Sequence, residues 1–303
     1  MSIAIEVKNV SHSFKDKKIC DNININFEEN KIYGLLGKNG AGKTTLINII
    51  ANQLLCNHGE VKIFGKNPKE DIRVLDHICI VREREFYDIE YKVKDIFKAY
   101  SYFCKDYDYK LQEKLCKRFE INQKLIYKKL SRGMKTLVSN IIGICSNSPI
   151  TIFDEPTIGL DAVNREEFYS ILLESYTHKN RTIIISTHQI NEVEELLEKV
   201  IIIKNGKVEV DDYIDEVKEK SYHITGKKDD LNKLSILKNR KPIKSFGNNE
   251  VYSYYGEIND QDLALIETLN IELDNMSIQD LFINMNKKEK TGYDLEKEIR
   301  VVR

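Results

Sequence analysis

"KIYGLLGKNGAGKTTLINII" occupies residues 31–50, and three kinds of residue follow one another in it. An apolar run, "KIYGLLG", reads as a buried strand that ends in glycine. "GKNGAGKT", Gly37 to Thr44, then fits the pattern G-x-x-x-x-G-K-[ST]. Beyond it "KTTLINIIANQLL" carries Leu46, Ile49, Ile50 and Leu54 at helical spacing. A strand, a glycine-rich loop and a helix in that order open a βαβ unit. The glycines let consecutive backbone N–H groups curl around an anion, and the helix N-terminus adds partial positive charge. Lys43 would reach the β- and γ-phosphates of a nucleoside triphosphate, and the Thr44 hydroxyl would ligate Mg²⁺. A glycine-rich turn with an exposed lysine is the plainer alternative, and the flanking strand and helix weigh against it.

Outward from this loop the pattern continues in both directions. "IAIEVKNVSHSF" and "ININF" alternate as strands do. From about Asp88 to Lys129 the pattern turns helical, with Val93, Ile96, Phe97, Tyr100 and Phe103 expected on one face. "PITIF" (149–153) and "TIIIS" (182–186) are continuous apolar strands separated by a helix around 164–176. Such runs alternating with helices predict a parallel sheet covered on both faces. "VIIIKNGKVEV" is a strand, an Asn-Gly turn and a second strand. Beyond residue 213 the composition changes: "SYHITG", "EVYSYYGEI" and "NIELDN" alternate, with helical pieces at 229–238, 260–268 and 277–285. A large α/β domain over 1–212, with a helical subdomain at about 88–146, a small α+β domain over 213–286 and a charged tail over 287–303 are expected.

Three further stretches carry polar residues suited to chemistry. "PITIFDEP" places Asp154 and Glu155 at the carboxyl end of an apolar strand. Asp154 suits Mg²⁺, and Glu155 suits orienting and deprotonating an attacking water; capping the strand is the bland alternative. "ISTHQ" puts His188 just past another buried strand, either to meet a γ-phosphate oxygen or to be satisfied as an ordinary polar loop residue. "KKLSRGMKTL" (128–137) sets Ser131 and Gly133 at the front of a helix carrying Met134, Leu137, Val138, Ile141 and Ile142. Ser131 can N-cap that helix.

Composition removes several classes. Hydrophobic residues at 41% and charged residues at 31% are ordinary for a globular protein. Forty-seven basic against 48 acidic residues leave a net charge of −1, which offers no electrostatic reason for a nucleic-acid partner. Cys20, Cys56, Cys79, Cys104, Cys116 and Cys145 form no C-x-x-C pair, and His58 and His77 near two of them lack metal-site spacing. Free buried thiols in a reducing compartment are expected, with no metal besides Mg²⁺. "MSIAIEVKNV" lacks the basic and apolar regions of a signal peptide, and no run of eighteen apolar residues occurs, so any crossing of a membrane falls to another chain.

The order of phosphate loop, helical insert, "LSRGM", "TIFDEP", "IGLD" and "STH" resembles the nucleotide-binding subunit of the ATP-binding cassette (ABC) family over residues 1 to about 212. The resemblance implies a P-loop NTPase cassette with a mixed-sheet core and a helical subdomain. "LSRGM" sits where that family has its signature sequence, which caps the ATP held by the phosphate loop of a second subunit. It implies nucleotide contacts from Phe14, Gly37, Asn39, Gly40, Gly42, Lys43, Thr44, Thr45, Ser131 and Gly133. Phe14 matches the aromatic that stacks on adenine, where a core phenylalanine is the alternative. Asp161 in "IGLD" matches the aspartate that couples two sites across a dimer. Two departures stand out: Arg132 and Met134 replace Gly and Gln in the signature, and Glu83 in "ICIVRERE" replaces a glutamine that meets both Mg²⁺ and the membrane partner.

The resemblance implies an ATPase that uses ATP and Mg²⁺, with Glu155 and His188 catalytic and Thr44, Glu83 and Asp154 around the metal. It implies integral membrane transporter subunits as partners, a homodimer or a heterodimer with a second ABC ATPase, and a cytoplasmic place on the inner face of the membrane. "MSIQDLF" near the end and the "LSRGM" wording are similar to bacterial exporter-type members that handle amphipathic peptides, lipids or drugs. A soluble cassette ATPase in translation or DNA maintenance is the alternative. A single cassette and about 110 residues between Lys43 and Asp154 count against it. A cassette that binds ATP without hydrolysing it is a third class, with Glu83 its only support. The C-terminal domain could aid dimerisation, sense substrate or brace the cassette, and dimerisation is the role expected.

Overall fold

The computed structural model describes residues 2–82 and 90–287. Its contacts separate into two compact units, one ending at Ile214 and one starting at Asp215.

The first unit opens with two long strands, β1 (Ile3–Phe14) and β2 (Lys17–Glu28), followed by β3 (Ile32–Leu36), whose five residues are all buried. Helix α1 (Lys43–Ile50) comes next and buries Leu46, Ile47, Ile49 and Ile50. It stops four residues short of Leu54, the last position of the predicted apolar stripe. β4 (His58–Ile63) and β5 (Ile78–Arg82) lead to three helices, α2 (Val93–Ser101), α3 (Tyr109–Arg118) and α4 (Arg132–Cys145). Then come β6 (Ile150–Asp154), α5 (Ala162–His178), β7 (Thr182–Thr187), and the hairpin of β8 (Lys199–Lys204) and β9 (Lys207–Tyr213).

Two sheets result. A three-stranded antiparallel sheet has the order β2-β1-β4, with Ile5 opposite both Phe27 and Ile63. A six-stranded sheet has the order β5-β6-β7-β3-β8-β9 and is parallel except for β9. Its strands β3, β6 and β7 are buried along their whole length because both faces are covered, as parallel sheets require. Their register decides where the loops emerge. Leu36 lies opposite Thr187, and Asp154 opposite Ser186. The chain therefore leaves β3, β6 and β7 at one level, on neighbouring strands, at their carboxyl ends. That edge is where open α/β sheets bind ligands.

In the helical part α2 and α3 both pack on α4. Val93, Ile96 and Phe97 are buried as the spacing predicts, but Phe103 is 82% exposed. Helix α2 ends at Ser101, so Phe103 lies beyond the helical face to which it was assigned.

The second unit begins along α6 (Ile214–Glu219) and continues with β10 (Ser221–Lys227), α7 (Lys228–Leu231), β11 (Lys244–Phe246), β12 (Asn249–Tyr255), α8 (Asp260–Thr268), β13 (Glu272–Asn275) and α9 (Ile278–Asn286). An antiparallel sheet of order β11-β12-β10-β13 buries Ile224 and Tyr252 together with Leu231, Leu234, Leu237, Ile266 and Ile271. The helical piece predicted for 229–238 is two short turns, α7 and a 3₁₀ turn at Ser235–Leu237. Asp262 explains the second: its carboxylate accepts from the Ser235 and Ile236 backbone N–H groups, and it draws the chain into that turn. Residues 288–303 of the predicted tail lie outside the described residues.

Candidate functional site

The loop between β3 and α1 is built around its last glycine. Gly42 has φ of 112°, a left-handed conformation that favours glycine, and a Cβ there would sit 2.8 Å from the Ile19 carbonyl oxygen. No side chain caps α1 at this residue, so the first N–H groups of the helix are presented to a ligand rather than to their own chain. Gly37 is buried, whereas Asn39 and Gly40 at the crest are exposed. Lys43 is 6% exposed and folds back across the loop, its Nζ donating to the Gly37 carbonyl at 2.5 Å. Burial pulls the Lys43 ammonium below its ordinary value, against the opposing pull of Glu155 and Asp154. Thr44 is exposed, and Thr45 beside it is half-buried.

The acids at the end of β6 meet this loop. Asp154 accepts from Ser186 Oγ at 2.7 Å and from Thr44 Oγ1 at 3.3 Å, and Arg82 Nε lies 3.9 Å from it. Two successive residues of a strand point to opposite faces. Glu155 escapes that alternation because its φ is 53°, in the left-handed region where a non-glycine residue is strained. Its N–H still bonds the Ser186 carbonyl at 2.8 Å, while its side chain swings to the loop. Glu155 Oε1 lies 3.6 Å from Lys43 Nζ, and the two carboxylate oxygens lie 2.9 and 3.0 Å from His188 Nδ1. Thr187 Oγ1 adds a longer bond at 3.4 Å. Lys43, Thr44, Asp154, Glu155 and His188, spread over 145 residues of sequence, thus form one contiguous polar cluster.

Ser131, Gly133, Asp161 and Phe14 make local contacts of their own. Ser131 is exposed and N-caps α4, its Oγ accepting from the Met134 N–H at 3.2 Å. Gly133 is there for close approach: a Cβ would stand 2.6 Å from the Gly159 carbonyl. Asp161 is exposed and N-caps α5 through the Asn164 N–H at 2.9 Å. Phe14 is 51% exposed, with its ring edge-on to His12 at 4.7 Å. An aromatic that open to solvent is not a core residue. Glu83 lies outside the described residues.

The family described as "ABC transporter" matches residues 20–158. An uncharacterised ABC transporter ATP-binding protein of Methanocaldococcus jannaschii is 34% identical over 215 residues, covering 68% of this chain and 76% of the relative. The chain belongs to the ABC transporter ATP-binding proteins. The bacitracin transport ATP-binding protein BcrA of Bacillus licheniformis is 28% identical over 308 residues, 94% of this chain and 98% of its own. Among solved structures, an ATP-binding subunit of an ABC transporter superposes with a TM-score of 0.63 at 21% identity, over 71% of this chain and 92% of that one. A dimeric ATP-binding cassette with bound ADP and phosphate gives 0.60 at 22%, over 69% and 98%. These two fix the fold as the P-loop cassette. As a member of this family the chain is an ABC ATPase, the ATP-binding subunit of a transporter. Subunits of the family dimerise and work with membrane subunits. The alternative of a soluble cassette in translation or DNA maintenance finds no support here. Among the described residues no helix of this ABC protein is long and apolar enough to cross a membrane.

Several residues that sequence reading passed over belong to the same site. Ser186 and Arg82 meet Asp154. Thr136 Oγ1 donates to the Ile158 carbonyl at 2.9 Å, and Asn140 Nδ2 to the Pro156 carbonyl at 2.8 Å, so α4 holds the loop after Glu155. A buried amide at the fourth residue after a buried hydroxyl on an apolar helix was the available signal, since buried polar groups need partners.

Proposed function

We propose that this subunit hydrolyses ATP with Glu155 as general base and His188 as its partner, and that it powers export of amphipathic compounds through separate membrane subunits. The observation that carries the chemistry is the convergence of Lys43, Glu155 and His188 on the phosphate loop, with both Glu155 oxygens near one imidazole nitrogen. A bound γ-phosphate meets Lys43 and the N–H groups of the loop. Glu155 orients and deprotonates the attacking water, and His188 holds the carboxylate in place while remaining open to solvent on its other side. Thr44 and Asp154 present hydroxyl and carboxylate oxygens to one another at 3.3 Å, the hard donors that Mg²⁺ takes. With Glu83 as a further ligand they would hold the ion, which supplies charge neutralisation at the β- and γ-phosphates.

Phe14 stacks on adenine in this reading, consistent with its exposure. Ser131 and Gly133 cap the nucleotide of a second subunit from a helix N-terminus, and Asp161 faces the same junction. ATP closes the pair and product release reopens it, on the cytoplasmic face of the membrane. An amphipathic cargo is supported by the relative named for bacitracin transport, because that alignment spans 94% of the chain and so runs past the cassette into the second unit.

Purification of the tagged chain from detergent-extracted membranes of its native host tests this reading. An integral membrane protein in near-equal amount is the expected companion. Ribosomes or DNA-bound factors in its place would overturn the reading.

A further inference from the structure

Two loops flank the catalytic pair, one running from Glu155 to Asp161 and the other from His188 to Glu192. Glu192 ends a 3₁₀ turn (Ile190–Glu192) and its carboxylate points back at the first loop. It forms an ion pair with Arg165 of α5 and accepts from Thr157 Oγ1 at 3.2 Å. The Gln189 amide, oriented so that its nitrogen faces an acceptor, adds a bond at 3.2 Å. Arg165 in turn donates to the Leu160 carbonyl at 3.3 Å, one residue before Asp161. The pair is half-enclosed, with side chains 30% and 16% exposed. Thr157 lies two residues past Glu155, and Gln189 directly follows His188. One buttress therefore touches each loop beside the group it carries.

We propose that Arg165 and Glu192 are positioning residues for hydrolysis: their ion pair locks the His188 loop to the Glu155 loop, so that the imidazole and carboxylate keep their register while Asp161 moves with a second subunit. The contacts of both side chains run to these two loops and to each other. They act through Thr157, Gln189 and Leu160, and so they bear on the chemical step rather than on ATP binding. A partly enclosed ion pair suits this task, because removing one partner leaves the other charge uncompensated and releases both loops at once. Small displacements of a general base are expensive in rate. The proposal rests on Glu155 being the base.

The test uses the full chain assembled with its membrane subunit and compares Glu192→Ala, Glu192→Gln, Arg165→Ala, Arg165→Lys, the double Ala variant and Glu155→Gln. Each Ala variant should lower kcat by about 10- to 100-fold while KM for ATP stays within about twofold. The double variant should be no worse than either single one, since both break the same link. Arg165→Lys should recover most of the rate, and Glu192→Gln, which keeps the acceptor for Thr157, should be intermediate and folds if the Ala variants do not. An unchanged kcat in the Glu192 and Arg165 variants, alongside an inactive Glu155→Gln, would overturn the positioning role alone. A raised KM with kcat intact would also overturn it, by moving the pair to binding. Wild-type turnover in Glu155→Gln would instead remove the base, and this inference with it.

Discussion

Asp154 and Glu155 of the first unit and Asp262 of the second are all acids held in from solvent, but they are surrounded differently. Asp262 is 2% exposed and is fully served by its own fold: the Ser235 N–H and Oγ, the Ile236 N–H and the Asn259 amide all donate to it, at 2.7 to 3.0 Å. Burial by itself would raise its pKa, yet these donors outweigh burial and hold it below the ordinary carboxylate range. Asp154 takes two hydroxyl donors, and Glu155 is met by an imidazole, an ammonium and a long hydroxyl contact. No backbone N–H donates to the side chain of either acid in that set. A carboxylate saturated by backbone donors is part of the scaffold. One faced by hydroxyls, an ammonium and an imidazole, beside an uncapped helix N-terminus, can exchange those partners for a phosphate, a metal or a water.

That distinction can be broken at four places. Glu155→Gln should lower turnover by about 10²- to 10⁴-fold while ATP still binds and closed dimers accumulate, as read by ATPase assay and gel filtration with ATP. Wild-type turnover would make Glu155 a scaffold residue like Asp262. Next, Lys43→Ala should cost about 1.5–3 kcal/mol of ATP affinity in a fluorescent-nucleotide titration, the range of a hydrogen bond to a charged group. Asp262→Ala should behave in the opposite way. It should lose about 2 kcal/mol of stability in urea, from donors left unmet, with turnover per folded molecule unchanged. Because the folded carboxyl has the lower pKa, its stabilisation is complete above the unfolded value of about 3.9 and fades as pH falls through the folded one. The Asp262→Ala variant should therefore lose less stability than the wild type on acidification below about pH 4. Smallest, Ser131→Ala should cost about 1 kcal/mol through its lost helix cap. It should also weaken ATP-driven pairing, which Asp262→Ala should leave alone.

The strands, the phosphate loop and the order of the cassette were legible because each is written locally: a five-residue apolar run, glycines at fixed offsets, apolar residues every three or four positions. Convergence of Lys43 with Glu155 and His188 was legible only through the motifs, since it depends on the register of β3, β6 and β7. Arg82, Thr136, Asn140, Arg165 and Glu192 were missed for one reason. Each is an ordinary polar residue whose partner lies 16 to 72 positions away, and neither spacing nor composition marks such pairs. Phe103 was misplaced because helical periodicity was followed past the end of α2, where local turns take over.

Twelve non-glycine residues among those described take positive φ, and eight of them are asparagine. Asparagine tolerates that conformation well and is this chain's commonest residue at such a bend. At the end of β6 it uses glutamate instead, at a conformational cost of about 1 kcal/mol. Passage of the gene under pressure for thermal stability alone should therefore erode this codon early, and the hardiest descendants would be the ones that no longer turn over ATP.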